Sequence, residues 1–320
     1  MQLVKKVIGT ELHYFETYFN EAFKSDLFLL DKILKYITKR KGKQMRPMFV
    51  LLCARLGGAI NEQSYRAALF VEMLHTSSLV HDDIVDDSLE RRGAFSVNAL
   101  WKNKAAVWTG DILFFRSISL LLTNADYQSL NIFTSSISKV VEGELLQMEK
   151  SRKLNFKEDV YFEIIKGKTA TLLASACAAG AASTFKDEKM VDKLQLFGEK
   201  MGIAFQIKDD LFDYDNFDVG KPKGNDIQEQ KITLPLIYTL DNCNFFLRKK
   251  LIHIIKYKNT DRASVDYLIE EVKKSGGVAY AEKKMLAYRE EALNILHDFP
   301  ESETRLALEE LVKYATDRKN

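Results

Sequence analysis

The sequence predicts an all-α protein, and three observations support this fold class. Over long windows, apolar residues recur every three or four positions, as in Leu69, Val71, Leu74 and Leu79, which is the period of a helix with one buried face. Helix-breaking proline occurs only 4 times in 320 residues, and glycine 15 times. Alternation with a period of two, typical of half-buried strands, is hard to find over a strand's length. We therefore expect a bundle of a dozen or so helices.

Short polar turns, rather than long linkers, separate the predicted helices. In chain order, the clearest breaks are 40-RKGK-43, 57-GGAINEQ-63, 215-DNFDVGKPKGND-226 and 275-SGG-277. Gly, Asn and Asp favour turns because they tolerate left-handed backbone or bond to it locally. No Gly/Ser-rich, Pro-rich or low-complexity tract interrupts the chain, so we expect a single domain over residues 1–320.

Composition excludes several classes of protein. The formal net charge is only +2, so no global field would attract nucleic acid or membranes. Cys53, Cys177 and Cys243 have no CxxC spacing and predict reduced thiols of a cytoplasmic protein. No uncharged apolar run reaches the ~20 residues of a spanning helix, and the first residues lack a signal-peptide pattern. We expect a soluble, cytoplasmic protein with no nucleic-acid partner and no transmembrane segment.

The stretch 81-HDDIVDDSLERRG-93 concentrates acidic residues at one place. On a predicted helix over 70–89, Asp82 and Asp86 lie one turn apart, and so do Asp83 and Asp87. Like charges at this spacing repel each other, and a bound cation would relieve the repulsion. A solvated acidic face is the simpler interpretation, but apolar residues flank the motif, which favours partly buried carboxylates.

The same DDxxD spacing recurs at Asp209, Asp210 and Asp213 in 205-FQIKDDLFDYD-215. Two such motifs in apolar helices are far more specific than one. Carboxylate oxygens suit Mg²⁺, a hard ion that proteins usually share with substrate phosphates. No His or Cys joins either motif at zinc spacing, so a zinc site is not expected.

Basic residues occur in short motifs with small residues and turns. Each alone is best explained as a surface cation, but as a set they predict a clamp for diphosphate: Lys43, Arg46, Arg91, Arg92, Lys168, Lys221 and Lys231. The GKT at 167–169 is not a nucleotide-binding P-loop, because position 162 is Phe and no strand precedes it. The chemistry predicted is therefore that of Mg²⁺ and diphosphate without a nucleoside triphosphatase motif.

Taken in order, the motifs resemble those of the trans-isoprenyl (polyprenyl) diphosphate synthase family. They are GKxxRP at 42–47, HxxxxxHDDxxD at 75–86, RRG at 91–93, GD at 110–111, GELLQ at 143–147, KT at 168–169, FQxxDDxxD at 205–213 and GKPKGNDIQEQKITLP at 220–235. The resemblance implies an isoprenoid synthase-like helical bundle around a deep central cavity, and a homodimer. It also implies Mg²⁺-dependent, head-to-tail condensation of isopentenyl diphosphate onto an allylic diphosphate, with three Mg²⁺ per active site.

The family's residue roles carry over to matching positions of this chain. The metal ligands implied are Asp82, Asp83, Asp86, Asp209, Asp210 and Asp213. The allylic diphosphate would be held by Arg91, Lys168, Lys221 and Lys231, and isopentenyl diphosphate by Lys43, Arg46, His75 and Arg92. Lys168, Thr169 and Gln206 are the implied catalytic groups, the last two being polar groups beside the developing carbocation. Two positions depart from the family's pattern: Gln44 stands where many members have a basic residue, and Gln230 where glycine is usual.

Ser77 and Ser78 are the predicted determinants of product length. They lie four to five positions before Asp82, where short-chain members of the family commonly carry an aromatic residue. Small side chains there would leave room for a product longer than geranylgeranyl diphosphate, such as a quinone side-chain precursor. The alternative for both serines is simple helix packing. Deeper candidates for a floor are Phe70, Met73 and Leu74, or Phe114, Phe115 and Ile118.

Other functions stay open at this point. The first alternative is a geranylgeranyl or farnesyl diphosphate synthase. A class I terpene cyclase is less favoured, because the second motif reads DDLFD and not the NDxxS/TxxxE pattern usual in cyclases. A non-catalytic partner subunit is also less favoured, because such subunits typically lose aspartates that both motifs retain here.

Overall fold

The computed structural model describes residues 1–40, 42–153, 157–214, 224–231 and 233–317, and in that part the chain is almost entirely helical. The helices are α1 (Gln2–Ala22), α2 (Phe28–Lys39), α3 (Met45–Gly57), α4 (Glu62–Val85), α5 (Val97–Thr123), α6 (Tyr127–Lys153), α7 (Glu158–Ile165), α8 (Thr171–Ala182), α9 (Glu188–Phe212), α10 (Asn225–Gln228), α11 (Leu234–Asn242), α12 (Phe245–Tyr257), α13 (Arg262–Lys274), α14 (Gly277–His297) and α15 (Glu303–Asp317). A π-helical turn, Lys166–Ala170, joins α7 to α8. The all-α prediction is confirmed.

Three of the four predicted breaks fall between helices: before α3, between α3 and α4, and between α13 and α14. Most of the fourth, over 215–226, lies outside the described residues. The described chain also contains one small hairpin that the sequence analysis did not predict. Strands β1 (Glu90–Arg91) and β2 (Ala94–Phe95) pair antiparallel. Arg92 and Gly93, with φ of 54° and 70°, form the two-residue loop, whose left-handed backbone matches the twist of a hairpin.

Helix α4 carries the first aspartate motif, and hydrogen bonds define both of its ends. At its start, the Asn61 side chain accepts from the Ser64 N–H at 3.0 Å, and the Ser64 hydroxyl accepts from the Asn61 N–H, which is a capping box worth about 1 kcal/mol. At its end, Asp87 has φ of 48°. The Ser88 N–H donates to the Asp83 carbonyl and the Asp87 N–H to that of Ile84. This is a Schellman motif.

The Schellman motif corrects one sequence prediction. We expected helix through 89, which would pair Asp83 with Asp87 on one face. Instead α4 ends at Val85, and Asp87 occupies the left-handed position that usually belongs to glycine. Asp86 keeps its place one turn after Asp82, because its N–H donates to the Asp82 carbonyl at 2.8 Å. The DDxxD spacing is preserved, while Asp87 serves to end the helix.

The chain divides into two compact units. The first comprises Met1–Thr134, Ser175–Gln195 and Pro300–Glu310, and the second Ser135–Ala174, Leu196–Phe299 and Leu311–Asn320. In the first, α4 packs along α5, and both sides of α4 are apolar and buried between Ala67 and Leu74. In the second, one core cluster runs from Tyr161 to Met285. The single domain over residues 1–320 stays a prediction.

One helix in the described chain, α5, is long and apolar enough by length and composition to cross a membrane. Core helices of soluble proteins pass the same test, and 33% of the apolar window in α5 is buried. The helix also contains Asp111 and Arg116, in agreement with the absence of an uncharged apolar run. The three cysteines are free thiols, as predicted.

Candidate active site

The first aspartate motif is partly buried and already paired with an arginine. Asp83 is 2% exposed, whereas Asp86 is exposed. The Arg91 Nε–H donates to Oδ1 of Asp83 at 2.6 Å. Burial raises the pKa of Asp83, and the positive charge of Arg91 opposes that rise. Because Arg91 lies in β1, the hairpin brings the predicted diphosphate ligand back onto the predicted metal ligand.

The loop between the motif and α5 is held by side chains. The Asn98 amide donates to the carbonyl oxygens of Asp83 and Ser88 at 3.2 and 3.3 Å. The Ser96 hydroxyl donates to the Ser88 carbonyl at 2.7 Å and also caps the start of α5. These bonds anchor the hairpin that carries Arg91 and Arg92 to the end of α4.

A cavity of about 80 Å³ lies beside Asp83 within the first unit. Its polar lining includes His75, Glu72 and Arg92, and its apolar lining includes Phe95 and Val97. Two residues predicted to bind isopentenyl diphosphate, His75 and Arg92, therefore open into one cavity. Glu72, which the sequence analysis did not single out, stands one turn before His75 on α4 and is buried.

Charges around this cavity act on both of these residues. Burial, followed by the positive charges of Arg46, Arg92 and Arg91, holds the pKa of His75 well below its usual range, so the imidazole is neutral at pH 7. Burial lowers the pKa of Arg92, and the negative charge of Glu72 opposes that shift. The cavity lining thus combines the guanidinium groups of Arg91 and Arg92 and a neutral ring with the carboxylates of Glu72 and Asp83. The guanidinium groups are the part of this lining that suits a diphosphate.

The start of α3 supplies the other two residues predicted for isopentenyl diphosphate. Arg46 lies in the first turn of α3 and is half-buried, while Lys43 is exposed just before it. Gln44 caps the helix in a left-handed conformation, with φ of 50°, and its buried Nε2 atom has no hydrogen-bond partner. A helix start with a free amide donor and two cations is suited to an anion.

The second aspartate motif has a hydrogen-bonded chain behind it in the second unit. Asp210 is 6% exposed, and its two oxygens accept from the Tyr161 hydroxyl at 2.7 Å and the Gln206 amide at 2.9 Å. The Thr169 hydroxyl donates to Oε1 of Gln206 at 2.7 Å. Thr169 and Gln206, predicted to act together, are thus in direct contact.

Burial raises the pKa of Asp210 well above its usual range, and the negative charge of Asp226 adds to this. The hydrogen bonds from Gln206 and Tyr161 act in the opposite direction. Asp213 is half-buried and accepts from the Asp226 N–H at 2.6 Å. A cation placed near these carboxylates would stabilise their charged form.

Of the basic residues predicted near the second motif, Lys231 forms ion pairs with Glu229 and, at 3.8 Å, with Asp226. Lys221 lies outside the described residues.

Lys168 lies in the π-helical turn and is held by an acidic partner. Its Nζ atom is 2.7 Å from Oε1 of Glu144 and 3.5 Å from Oε1 of Gln147. A Cβ atom on Gly143 would lie 2.8 Å from the Lys168 nitrogen, so only glycine lets α6 approach this turn so closely. The GELLQ motif therefore positions Lys168 with its glycine and its glutamate. π-Turns are frequent at functional sites.

The two serines predicted to set product length differ in orientation. The buried Ser77 hydroxyl donates to the Gly110 carbonyl on α5 at 2.8 Å, which is a helix-packing contact. The half-buried Ser78 hydroxyl donates to the His75 carbonyl on its own helix at 2.9 Å. Deeper along α4, the buried rings of Phe70 and Phe133 stack with centroids 4.3 Å apart. Of the α5 candidates for a floor, Phe115 is exposed.

Several residues that act on the predicted ligands were not predicted from the sequence. Tyr161 could not be found, because no motif surrounds it and its contact with Asp210 spans 49 positions. Glu144 was visible as part of GELLQ but had no assigned role. Glu72 had a usable signal, since an acidic residue in the apolar run 67-AALFVEML-74 costs free energy unless it has a cationic partner.

Comparisons with known proteins agree with the geometry. A family model described as polyprenyl synthetase matches residues 28–272. An all-trans-nonaprenyl-diphosphate synthase (geranyl-diphosphate specific) of Rhodobacter capsulatus is 36% identical, covering 95% of this chain and 93% of that protein. Component 2 of the heptaprenyl diphosphate synthase of Geobacillus stearothermophilus is 31% identical, covering 97% of each.

Solved structures agree as well. A polyprenyl synthase from Caulobacter crescentus, crystallised with calcium and isoprenyl diphosphate, matches with a TM-score of 0.94 and 31% identity, covering 100% of this chain and 98% of that chain. A geranylgeranyl pyrophosphate synthase from Bacteroides thetaiotaomicron matches with a TM-score of 0.86 and 37% identity over 99% and 98%. Motif order, fold and near-complete coverage lead to one conclusion: this chain belongs to the polyprenyl synthetase family.

Proposed function

We propose that this protein is a trans-polyprenyl diphosphate synthase that adds isopentenyl diphosphate head-to-tail to an allylic diphosphate. In this reaction the C–O bond of the allylic diphosphate breaks, and the double bond of isopentenyl diphosphate attacks the allylic carbon. A proton is then lost, and inorganic diphosphate leaves. No side-chain nucleophile is required, and positioned charges supply most of the catalysis.

The burial of one aspartate in each DDxxD motif carries this proposal. Asp83 and Asp210 are 2% and 6% exposed, and a buried carboxylate is costly unless opposite charge or hydrogen bonds compensate it. Asp83 has Arg91 at 2.6 Å, whereas Asp210 accepts its hydrogen bonds from the neutral donors Tyr161 and Gln206. Carboxylates retained at such a cost are expected to serve a bound cation.

Magnesium fits the donors present, because both motifs offer carboxylate oxygens and no soft ligands. Among the described residues, no three His, Cys, Asp or Glu side chains already form a metal cluster. When bound, about three Mg²⁺ would neutralise the leaving diphosphate. Their ligands would be Asp82, Asp83 and Asp86 in one motif and Asp209, Asp210 and Asp213 in the other. The calcium bound by the Caulobacter crescentus relative supports a divalent cation.

The chain's cationic side chains, together with the neutral ring of His75, divide between the two substrates. Arg46, His75 and Arg92, with Lys43, bind isopentenyl diphosphate, since His75 and Arg92 line one cavity and the charges of Arg46 and Arg92 act on His75. Arg91 and Lys168, together with Lys221 and Lys231, bind the allylic diphosphate. The Thr169 hydroxyl and the Gln206 carbonyl oxygen present dipoles that would stabilise the allylic cation.

The product exceeds geranylgeranyl diphosphate in length. Support comes from the small side chains Ser77 and Ser78, and from the nonaprenyl synthase among the relatives. The stacked rings of Phe70 and Phe133, deeper along α4, are one candidate floor for the chain. The similarity to a geranylgeranyl pyrophosphate synthase keeps a shorter product as the alternative.

The proposal is tested by the rate at which labelled isopentenyl diphosphate enters an extractable product. Asp83→Asn and Asp210→Asn should each lower kcat/KM by about 100-fold or more, since each removes a ligand of the cations that would neutralise the leaving diphosphate. Asp87→Asn is the matched control, because Asp87 is exposed and asparagine tolerates its left-handed backbone. Equal rates in all three variants would refute the assigned motifs. Conversion of the allylic diphosphate to a hydrocarbon without label would indicate a cyclase.

The protein acts as a homodimer, and α5 provides its interface. Trp108 and Phe115 are 70% and 65% exposed, and Leu122 continues the same helical face. Exposed aromatic side chains at helical spacing are typical of a self-association surface. Light scattering should give a dimer mass for the native chain and a monomer mass for Trp108→Ser combined with Phe115→Ser. A catalytic partner of another sequence, suggested by the two-component heptaprenyl relative, would be indicated if the native chain were monomeric and inactive alone.

The cytoplasm is the compartment that fits the state of the cysteines. Three free thiols are expected in a reducing environment.

A further inference from the structure

Helix α12 in the second unit presents an unusual exposed face. Phe246 and Tyr257 are 83% and 72% exposed, although large aromatic side chains are normally buried. On a helix, these two residues share one stripe with Lys250 and His253, at positions i, i+4, i+7 and i+11. Lys249 and Lys256 flank the stripe and are exposed. We call these six residues the basic aromatic face.

The rest of α12 explains why this face cannot turn inward. Leu251, Ile254 and Ile255 are buried and belong to the core cluster of the second unit. Asn244 caps the helix by accepting from the Leu247 N–H at 3.0 Å. The helix is thus fixed by its apolar side, and most of the basic aromatic face is left to water. The Lys250 amine lies over the Tyr267 ring, 3.7 Å from its centroid.

The positive charge of the basic aromatic face makes it selective for anionic partners. From Asp241 to Lys258 the sequence carries one acidic residue, Asp241, and five basic ones, and Asp241 forms its ion pair with Arg248. Within the described part of the chain, no ion pair joins a carboxylate to Lys249, Lys250 or Lys256. The face therefore combines apolar tips with unneutralised positive charge on a protein whose net charge is only +2.

A second exposed apolar segment provides a contrast. Leu27 and Phe28 at the start of α2 are also well exposed. Two of the three nearest lysines are neutralised, because Lys24 pairs with Glu21 and Lys35 with Asp31. This segment therefore has less unpaired positive charge beside its apolar side chains than α12 has, and the α12 face is the better complement to an anionic partner.

We propose that the basic aromatic face of α12 docks the protein on anionic lipid bilayers. Lysines flanking aromatic side chains on an amphipathic helix are the chemistry by which peripheral proteins recognise acidic headgroups while inserting apolar tips. Phe246 and Tyr257 enter the headgroup region, and Lys249 and Lys256 contact lipid phosphates. Docking would bring the enzyme to the solvent in which a long prenyl chain dissolves.

Vesicle flotation of the full-length protein tests this directly. The native chain should float with vesicles of two parts phosphatidylcholine to one part phosphatidylglycerol, and not with phosphatidylcholine alone. Added salt should release it, since exposed charges are screened. Lys249→Glu combined with Lys256→Glu should weaken binding by at least about tenfold, because each lysine near an anionic surface contributes about fivefold. Phe246→Ser should weaken binding while leaving the salt dependence in place.

Lys186→Glu combined with Lys189→Glu is the matched control. It changes the net charge by the same amount at exposed positions outside α12, and it should float like the native chain. No flotation of the native chain, or equal flotation of the Lys249/Lys256 variant, would overturn the proposal. So would a lower solution mass of that variant with unchanged vesicle binding, which would make the face a protein interface. No substrate is present, so the outcome is independent of the proposed activity.

Discussion

Arg91 and Asp83 are joined by a hydrogen bond of 2.6 Å between Nε and Oδ1, so a predicted diphosphate ligand neutralises a predicted metal ligand. The hairpin turn at Arg92 and Gly93 makes this contact possible by folding β1 back onto the end of α4. We expect the pair to separate when substrate binds, Asp83 turning to Mg²⁺ and Arg91 to phosphate. The Asp83 carboxylate would therefore have a cationic partner both before and after binding.

Removing Arg91 should destabilise the protein without substrate. Arg91→Ala leaves the buried Asp83 carboxylate without its cation, and we expect a loss of about 1–2 kcal/mol of unfolding free energy at neutral pH. Urea denaturation measures this loss. The double variant Arg91→Ala/Asp83→Asn should recover most of it, since no uncompensated charge is then buried. A loss that persists in the double variant would mean that Arg91 stabilises the hairpin by another contact.

Removing the Tyr161 hydroxyl should weaken metal-dependent activity. Tyr161→Phe deletes the 2.7 Å hydrogen bond to Asp210, which raises the pKa of that carboxyl further because the bond favours its charged form. We expect about a tenfold rise in the Mg²⁺ concentration for half-maximal rate. Tyr214→Phe is the control, because its hydroxyl bonds to Thr233 instead. If both variants needed the same Mg²⁺ concentration, the Tyr161 hydroxyl would have no role in metal binding.

Two neighbouring lysines in the π-helical turn should behave differently. Lys168→Ala should lower kcat/KM by about 100-fold, because a cation directed at the leaving diphosphate is lost. Lys166→Ala is matched in type and location but removes an amine that pairs with Glu199 at 2.9 Å. It should stay within about threefold of the native rate. Steady-state kinetics with varied allylic diphosphate distinguishes them, and similar losses would contradict the role of Lys168.

The stability of the protein should fall with acid through His75. The folded pKa of His75 lies well below its usual range, so below about pH 6.5 the unfolded chain takes up a proton that the folded chain refuses. Stability contributed by this group is therefore present above that pH and lost as pH falls, at up to about 1.4 kcal/mol per pH unit. His75→Gln should flatten the difference between pH 7 and 5.5 in urea denaturation. If the unfolding free energy of the variant fell with pH as steeply as that of the native chain, groups other than His75 would control the pH dependence.

Product length should respond to Ser78 more cleanly than to Ser77. Ser77 is buried against the Gly110 carbonyl, so a bulky residue there would disturb α4 and α5. Ser78 is half-buried, one turn before Asp82, and Ser78→Tyr should shorten the main product while keeping the rate of the first condensation. Chromatography of the dephosphorylated prenols measures both. An unchanged length would leave Phe70 and Phe133 as the floor.

The sequence predicted most of the fold, for physical reasons that specific residues illustrate. Apolar periodicity and scarce proline were sufficient to predict the helices, and the DDxxD repeat was sufficient to single out Asp83 and Asp210, whose role as metal ligands stays a prediction. Backbone features were harder to predict. Asp87 and Gln230 adopt left-handed φ of 48° and 55°. A glycine at either position would have indicated this backbone conformation in the sequence, but neither residue is glycine. Gln230 stands where glycine is usual in the family. The left-handed backbone at this position explains why glycine is usual there.

Contacts between residues far apart in the sequence were also hard to predict. Tyr161, Glu144 and Phe133 contact Asp210, Lys168 and Phe70 across separations at which no local spacing rule applies. Only the fold brings such pairs together, so sequence periodicity identifies the faces but not their partners.

The chain length of the product is the measurement that tests the central claim most directly. Purified protein would be incubated with Mg²⁺, farnesyl diphosphate and labelled isopentenyl diphosphate, and the dephosphorylated products separated by chromatography. Our account predicts a labelled ladder that ends in one dominant prenol longer than geranylgeraniol. A ladder that stops at geranylgeraniol would contradict the assigned length. Absence of label from every product, with any allylic primer, would contradict the proposed reaction itself.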